Sequence, residues 1–198
     1  MPLGSFASFS QRLLSALRTA LSEIYAKQVL QDQDGALLNF PKFFYKIRQG
    51  YGFAASKRFE GVTSGDSVDI LFRNPPDSGR NAVIVSIEII GLAQLYADIY
   101  KNNTVTSDGT LIPAVNLNLA SAITNKAVVA YGGSYSLGTM IYNMVVPGGS
   151  HIRAIGGAIQ IGETVILPPG GNFILRVTNK SASATDFSAR AVWWEEPT

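Results

Sequence analysis

The sequence predicts a mainly β protein, an antiparallel β-sandwich or jelly roll preceded by an N-terminal amphipathic helix. Three observations carry this. From about residue 56 onward apolar and polar residues alternate with period two. Turn signals rich in Gly and Pro (NPPDSGR, SDG, YGGS, VPGGS, PPGGN, NKSAS) cut that stretch into short pieces. Helical spacing is confined to the N-terminal stretch, and many short strands without further helices indicate two packed sheets.

The helix is expected from Ser8 to Gln31. Ser8 followed by Gln11 fits a capping box, no Gly or Pro interrupts, and Gly35 stands just past the end. Leu14, Leu17, Leu21 and Ile24 form one apolar seam, which Gln28 and Gln31 then interrupt. Such a rod is about 36 Å long. A leading helix before an all-β region has few partners in its own chain, so residues 1–35 are read as an assembly or anchoring helix.

Residues 36–55 read as a basic, aromatic connector arm. Pro41, Gly50 and Gly52 punctuate it, and Lys42, Phe43, Phe44, Lys46 and Arg48 are its characteristic residues. Together with Lys57 and Arg58 these could track single-stranded nucleic acid or a membrane surface through residues 42–58. Five basic groups are few for a backbone footprint, and the sequence favours packing of the aromatics on a neighbouring subunit.

Residues 56–198 form the expected β domain. Val68, Ile70 and Phe72 alternate with polar neighbours, Val83, Val85, Ile87 and Ile89 line one face, and Leu95, Ala97 and Ile99 another. Further strands fit residues 111–119, 127–131, 139–146, 159–167, 173–178 and 187–194.

Within this domain SDGTLI (107–112) and SLGTMI (136–141) share four of six letters, and each follows a tyrosine, Tyr100 or Tyr131. GSYSLGT superficially resembles a phosphate loop, but it lacks the lysine and no helix pattern follows. A calcium loop needs several carboxylates, and Asp108 stands alone. Asp108-Gly109 is a turn dipeptide, so both units read as turns feeding similar strands.

Composition points toward association. A chain of 198 residues with 15% charged side chains is well below the roughly 25% of typical soluble domains. A neutral surface tends to associate, and a homo-oligomer is expected. Residues 1–60 hold eight Lys/Arg and four Asp/Glu, whereas 61–198 hold eight and ten, so the small net charge of +2 is segregated. No run of eighteen apolar residues occurs, and the N-terminus lacks the basic start and apolar core of a leader. A soluble chain is expected.

Nothing in the spacing of chemical groups predicts an enzyme, and no catalytic residue, cofactor or metal site is assigned. The one histidine, His151, lies in PGGSHIRAIGG without a nucleophile elbow, and no cysteine is present. Glu195 and Glu196 are read as belonging to a frayed terminus. Trp193 and Trp194 are adjacent, so one should face the core and the other solvent. Tyr131, Tyr135 and Trp194 are the exposed aromatics that would serve a sugar-binding surface, with Tyr142 a further candidate. Sequons occur at Asn102 and Asn179.

The segments SGDSVDILFRNPPDSGRNAVIVSIEI (64–89), ADIYKNNTVTSDGTLIPAVNLN (97–118) and VILPPGGNFILRVTNKSASATDFSARAVWWE (165–195) give the chain a further reading. In this order they resemble a β-rich structural domain of tailed phages and other prokaryotic viruses, of the decoration, turret or fibre type. The resemblance implies a virion component assembled in the host cytoplasm, such as a capsid, turret, decoration, fibre or tail element. It would act through contacts with its own copies and other virion proteins. The alternative is a carbohydrate-binding or host-receptor-binding module whose ligand is a host-surface glycan. The first 58 residues lie outside the likeness.

The seam of the expected helix can be tested directly. The double change Leu17→Asp with Leu21→Asp would bury unpaired charges in any contact the seam makes, costing several kcal/mol per site. Loss of oligomer or docking, with the β-domain melting transition unchanged, is expected from light scattering and a thermal melt on one sample. Collapse of the β-domain melt would show that the helix packs on its own domain.

Overall fold

The computed structural model describes residues 29–31, 37–39, 42–148, 158–160 and 165–198. Within them the chain is mainly β with antiparallel sheets and a single short helix. The expected helix over 8–31, with Leu14, Leu17, Leu21 and Ile24, lies outside the described residues except at its end. There the expectation fails. Val29–Gln31 is a strand (β1) paired with Leu37–Asn39 (β2), with Val29 opposite Asn39 and Gln31 opposite Leu37. The five residues between them include Asp34-Gly35, a dipeptide that suits chain reversal as well as a helix stop.

The chain divides into two compact units, residues 1–45 and 46–198. The first contains β1, β2 and the start of the helix α1 (Lys42–Arg48). The second contains the end of α1 and all later strands, so the connector arm expected over 36–55 is not one extended piece. Lys46 and Arg48 lie in the last turn of α1, where the helix carbonyls favour cations. The helix closes on Gly50, at φ +83°. Gly50 N donates to Ile47 O at 2.8 Å and Tyr51 N to Lys46 O at 2.9 Å, the paired bonds of a glycine-dependent helix stop.

Strands follow at once: β3 (Gly52–Val62), β4 (Ser67–Arg73), β5 (Arg80–Gly91), β6 (Leu95–Lys101), β7 (Thr104–Ser107), β8 (Thr110–Leu111) and β9 (Ala114–Asn116). After them come β10 (Val128–Tyr131), β11 (Ser134–Ser136), β12 (Thr139–Val146), β13 (Ala158–Gln160), β14 (Val165–Leu167), β15 (Asn172–Asn179) and β16 (Thr185–Pro197). One sheet has the order β12-β6-β15-β4-β10-β8 and the other β13-β5-β16-β3-β9, with β14 also on β5. Strands β3 to β6 therefore alternate between the two sheets; after β12 the chain crosses to β5 for both β13 and β14, returns for β15 and crosses again for β16. The turns between them are corners from sheet to sheet, not hairpins.

The period-two pattern sends alternate residues to a shared core. Phe53, Phe59, Ile84, Ile89 and Trp193 from one sheet meet Ile70, Phe72, Ile99, Phe173 and Val177 from the other in one buried cluster. Trp193 stands edge-on to Phe72 across the two sheets, with ring centroids 5.0 Å apart. Phe72 in turn stacks on Phe173 at 5.2 Å. The core already includes Phe53 and Ala55, so the β domain begins before the residue 56 expected from the sequence.

Corners between sheets leave backbone groups without ladder partners, and buried side chains satisfy them. Asn74 Nδ2 donates to Arg80 O and Leu167 O. Asn103 Nδ2 donates to Tyr100 O and Asn172 Oδ1, while its own Oδ1 accepts from Gly138 N. Asn179 is 0% exposed and donates to Val62 O and Ser183 O, so its sequon is a structural fastener. Asn116 and Asn118, from VNLN, donate to Gly50 O and Arg48 O at the end of α1. Glu195 is likewise buried and not frayed. Its carboxylate accepts from Lys126 N and Ala127 N and pairs with Arg80 Nη1 at 3.1 Å, tying the loop after β9 to the core.

The boundary predicts how fragments behave. A chain of residues 46–198 should unfold in one cooperative transition, whereas residues 56–198 should not, because they lack the β3 segment paired with β9. In the full chain, Phe53→Ala should cost about 3–5 kcal/mol. Circular dichroism melts of the three proteins check this, and a cooperative melt of 56–198 as high as that of 46–198 would refute the boundary.

Candidate interaction surface

Both sheets carry buried apolar residues that point away from the shared core. On β4, β15 and β10, Leu71, Ile174 and Ala130 alternate with core residues yet are fully buried. A third layer covers them. The segments 95–111 and 128–146 pair three times in succession, β6 with β12, β7 with β11 and β8 with β10. Because the first pair lies at one edge of the sheet and the last at the other, the β7–β11 ribbon must cross the sheet's outer face.

Side chains pin the ribbon there. Asp108 pairs with Arg73 on β4, and Tyr135 Oη donates to Asp108 O at 2.7 Å. Arg176 on β15 grips Asp69 on β4 through two bonds of 2.7 Å beneath it. The repeated hexapeptides mark the close approaches. A Cβ at Gly109 would overlap the Tyr131 carbonyl oxygen, and one at Gly138 would overlap the Lys101 carbonyl oxygen. Each unit's glycine thus lies against the chain just after the other unit's tyrosine, and no larger residue fits. The units are crossing points of one ribbon, and the Asp108 carboxylate is occupied by Arg73.

On the other sheet Ala54, Val83, Val192 and Trp194 face outward and are buried. Ile47 lies against Gly52, and Lys46 pairs with Glu196 at 3.8 Å, placing the end of α1 over this face. Trp194 is only 8% exposed, against the expectation of a free indole. Period two gave its direction correctly, but its burial is tertiary. Of the expected arm residues, Lys42, Phe43 and Phe44 occupy the first half of α1, with the two rings 6.1 Å apart and Phe44 exposed. Lys46 is held by Glu196, and the Arg48 carbonyl by Asn118. His151 lies outside the described residues.

The remaining expected aromatics do not form an open platform either. Tyr131 is half-buried, its ring edge-on to Phe59 at 5.4 Å and capped by Lys57 Nζ at 4.7 Å from the centroid. It borders an open groove of about 610 Å³ that Lys57, Ser67, Asp69 and Gly133 also line. Tyr135 spends its hydroxyl on Asp108 O and Gly133 N within the ribbon. Tyr142 packs against the core cluster.

What lies open is apolar and at the edges. On β12, an edge strand, Met140, Ile141 and Val145 are exposed, with Tyr96 beside them on β6. At the opposite edge Leu111, Pro113 and Val115 are exposed at every second position, and Leu119 beyond them is 91% exposed. The whole segment 109–146, which supplies both edges, contains a single charged residue, Lys126. That depletion was readable in the sequence as a local run, but its division between two opposite edges was not. Exposed apolar groups gathered in this way mark contact surfaces.

No family model, curated protein or solved structure matches this chain.

The ribbon contact has a pH signature. Burial, then the nearby Asp69 and Asp108 charges, raise the Tyr135 pKa above its ordinary 10.0, outweighing a lowering bond from Gly133. The neutral phenol is thus the form the fold favours. Its contribution is complete below the unfolded pKa and is lost as pH rises through the higher folded value. Tyr135→Phe should cost about 1 kcal/mol near neutrality, a melting shift of about 2–4 °C. That difference from the parent protein should shrink above pH 10 in melts recorded from pH 7 to 11. A constant difference would remove the ribbon bond from the account.

Proposed function

We propose that this protein is a structural component of a virion, in which a jelly-roll body makes repeated contacts with its own copies and with other particle proteins. Strand order supports the jelly roll. Four strands, β3-β16-β5-β13 with β14, face four others, β4-β15-β6-β12, and β3 to β6 alternate between them. The additions at the edges, β9 on one sheet and β10-β8 on the other, come from the long insertion between β6 and β12. Jelly rolls serve in viral capsids and in lectins, so the fold alone does not choose.

The observation that carries the structural reading is the pair of exposed apolar edges in a stretch with one charge. A body that tiles or stacks buries such edges in every copy. The expected helix over the N-terminal residues would then anchor the body to the particle or to sister chains. The likeness of residues 64–195 to virion β domains points the same way. A glycan-binding role rests on less, since Trp194 is covered, Tyr135 is engaged and the Tyr131 ring is capped by Lys57.

Antibody to this chain, applied to purified particles and viewed by electron microscopy, tests the proposal. Regular labelling of assembled particles is expected. Chain recovered only free of particles from producing cells would overturn it.

A further inference from the structure

We infer that the open groove beside Tyr131 binds a carboxylate-bearing sugar, with Lys57 as the group that receives the carboxylate. The groove lies where both sheets lose an outer strand. β9 covers β3 only along Phe53–Ala55, and β10 joins β4 only from Ile70 to Arg73. Beyond those limits Lys57 and Glu60 from β3, Ser67 and Asp69 from β4, and Tyr131 and Gly132 line a space of about 610 Å³. Small-molecule sites typically span roughly 300–1,000 Å³.

Lys57 is the feature that asks for a ligand. It holds the position on β3 between Ala55 and Phe59, both in the core, and its half-buried side chain is directed between the sheets. Its ammonium lies 4.7 Å from the Tyr131 ring centroid and 5.7 Å from that of Phe59. Among the described residues no carboxylate pairs with it. Glu60 is 3.5 Å from Arg58, and Asp69 is gripped by Arg176. A cation at a core-facing position without a counter-ion is unfavourable, and aromatic faces offset only part of that. A bound anion completes the pairing.

The surroundings define the anion. Arg58 and Arg176 are committed to carboxylates, so neither offers a free guanidinium fork to a phosphate. Glu60 and Asp69 repel a second negative charge, which leaves a singly charged carboxylate as the matching group. Both acids keep lone pairs beyond their guanidinium bonds, acceptors that suit hydroxyl donors on the body of the ligand. Because Lys57 caps the Tyr131 ring, the groove presents an ammonium and not a stacking platform, so a neutral sugar lacks its main contact. A uronic-acid ring, free or at the end of a glycan, has all these features. The site is independent of any virion role.

Amide shifts of the isotope-labelled full-length protein, titrated with sodium glucuronate at constant ionic strength, test the site. Saturable shifts are expected at Lys57, Tyr131 and Gly132, with glucose and inorganic phosphate giving none at the same concentration. Lys57→Gln should weaken glucuronate binding about tenfold, and Lys57→Arg should keep most of it, both with the parent melting curve. Gly132 has φ +66° and open space where a side chain would begin, so Gly132→Asn fits the backbone, crowds the groove and should also lower affinity. Tighter binding of a glucuronate oligosaccharide than of the monosaccharide would support a glycan as the source, and equal affinity would support the free acid. The inference is overturned by the absence of saturable shifts, which would leave Lys57 as a guard of the free β3 edge, or by an equal response to phosphate. A response that survives Lys57→Gln, or tighter binding of a glutamate peptide than of glucuronate, overturns it as well.

Discussion

The constraint on which this fold depends is the alternation of successive strands between two sheets. Every corner takes the backbone out of one ladder before it enters the other, and the groups stranded there are shielded from water. Asparagine meets the need because one short side chain offers two donors and an acceptor. Asn74 and Asn179 close such gaps, Asn103 and Asn116 do the same where the chain leaves β6 and the helix, and Glu195 serves the loop after β9 with a carboxylate neutralised by Arg80. Leaving any of these backbone groups unpaired in the interior would cost about 1–3 kcal/mol.

With the corners fixed, the two sheets can close on Trp193 and Phe72, and their outer faces become available for further layers. The chain uses both. The end of α1 is tied to one by Lys46 and Glu196, and the β7–β11 ribbon to the other by Asp108 and Arg73. The ribbon requires the two segments to pass within backbone contact twice, which is why Gly109 and Gly138 recur in otherwise similar hexapeptides. Covering these faces moves the remaining apolar surface to the edges, where a neighbouring molecule can reach it.

Electrostatics follow the same division. Several charges on the outer faces are paired within the body, as Arg176 with Asp69, Arg73 with Asp108 and Arg190 with Glu88. The insertion that forms the edges is left almost free of charge.

The sequence by itself determined the β class, most strand positions and the direction of core residues, because period-two alternation and turn dipeptides are local signals. It marked NPP as a turn and NNT and NKS as sequons, and placed VNLN within a strand, in each case without their bonds. It misjudged Val29–Gln31, where a short strand competes with a helical pattern, and it set the start of the β domain too late because Gly50 and Gly52 look like linker residues. Burial of Trp194 and Glu195 and engagement of the Tyr135 hydroxyl were decided only by the tertiary structure. Glu195 is held by Arg80 and the Lys126 and Ala127 amides and Tyr135 by the Asp108 carbonyl, residues far along the chain, and no pattern of neighbours encodes that. The same holds for the candidate surface. Charge depletion over 109–146 is written in the sequence, but only strand pairing over long separations places its two halves at opposite edges of the sheets.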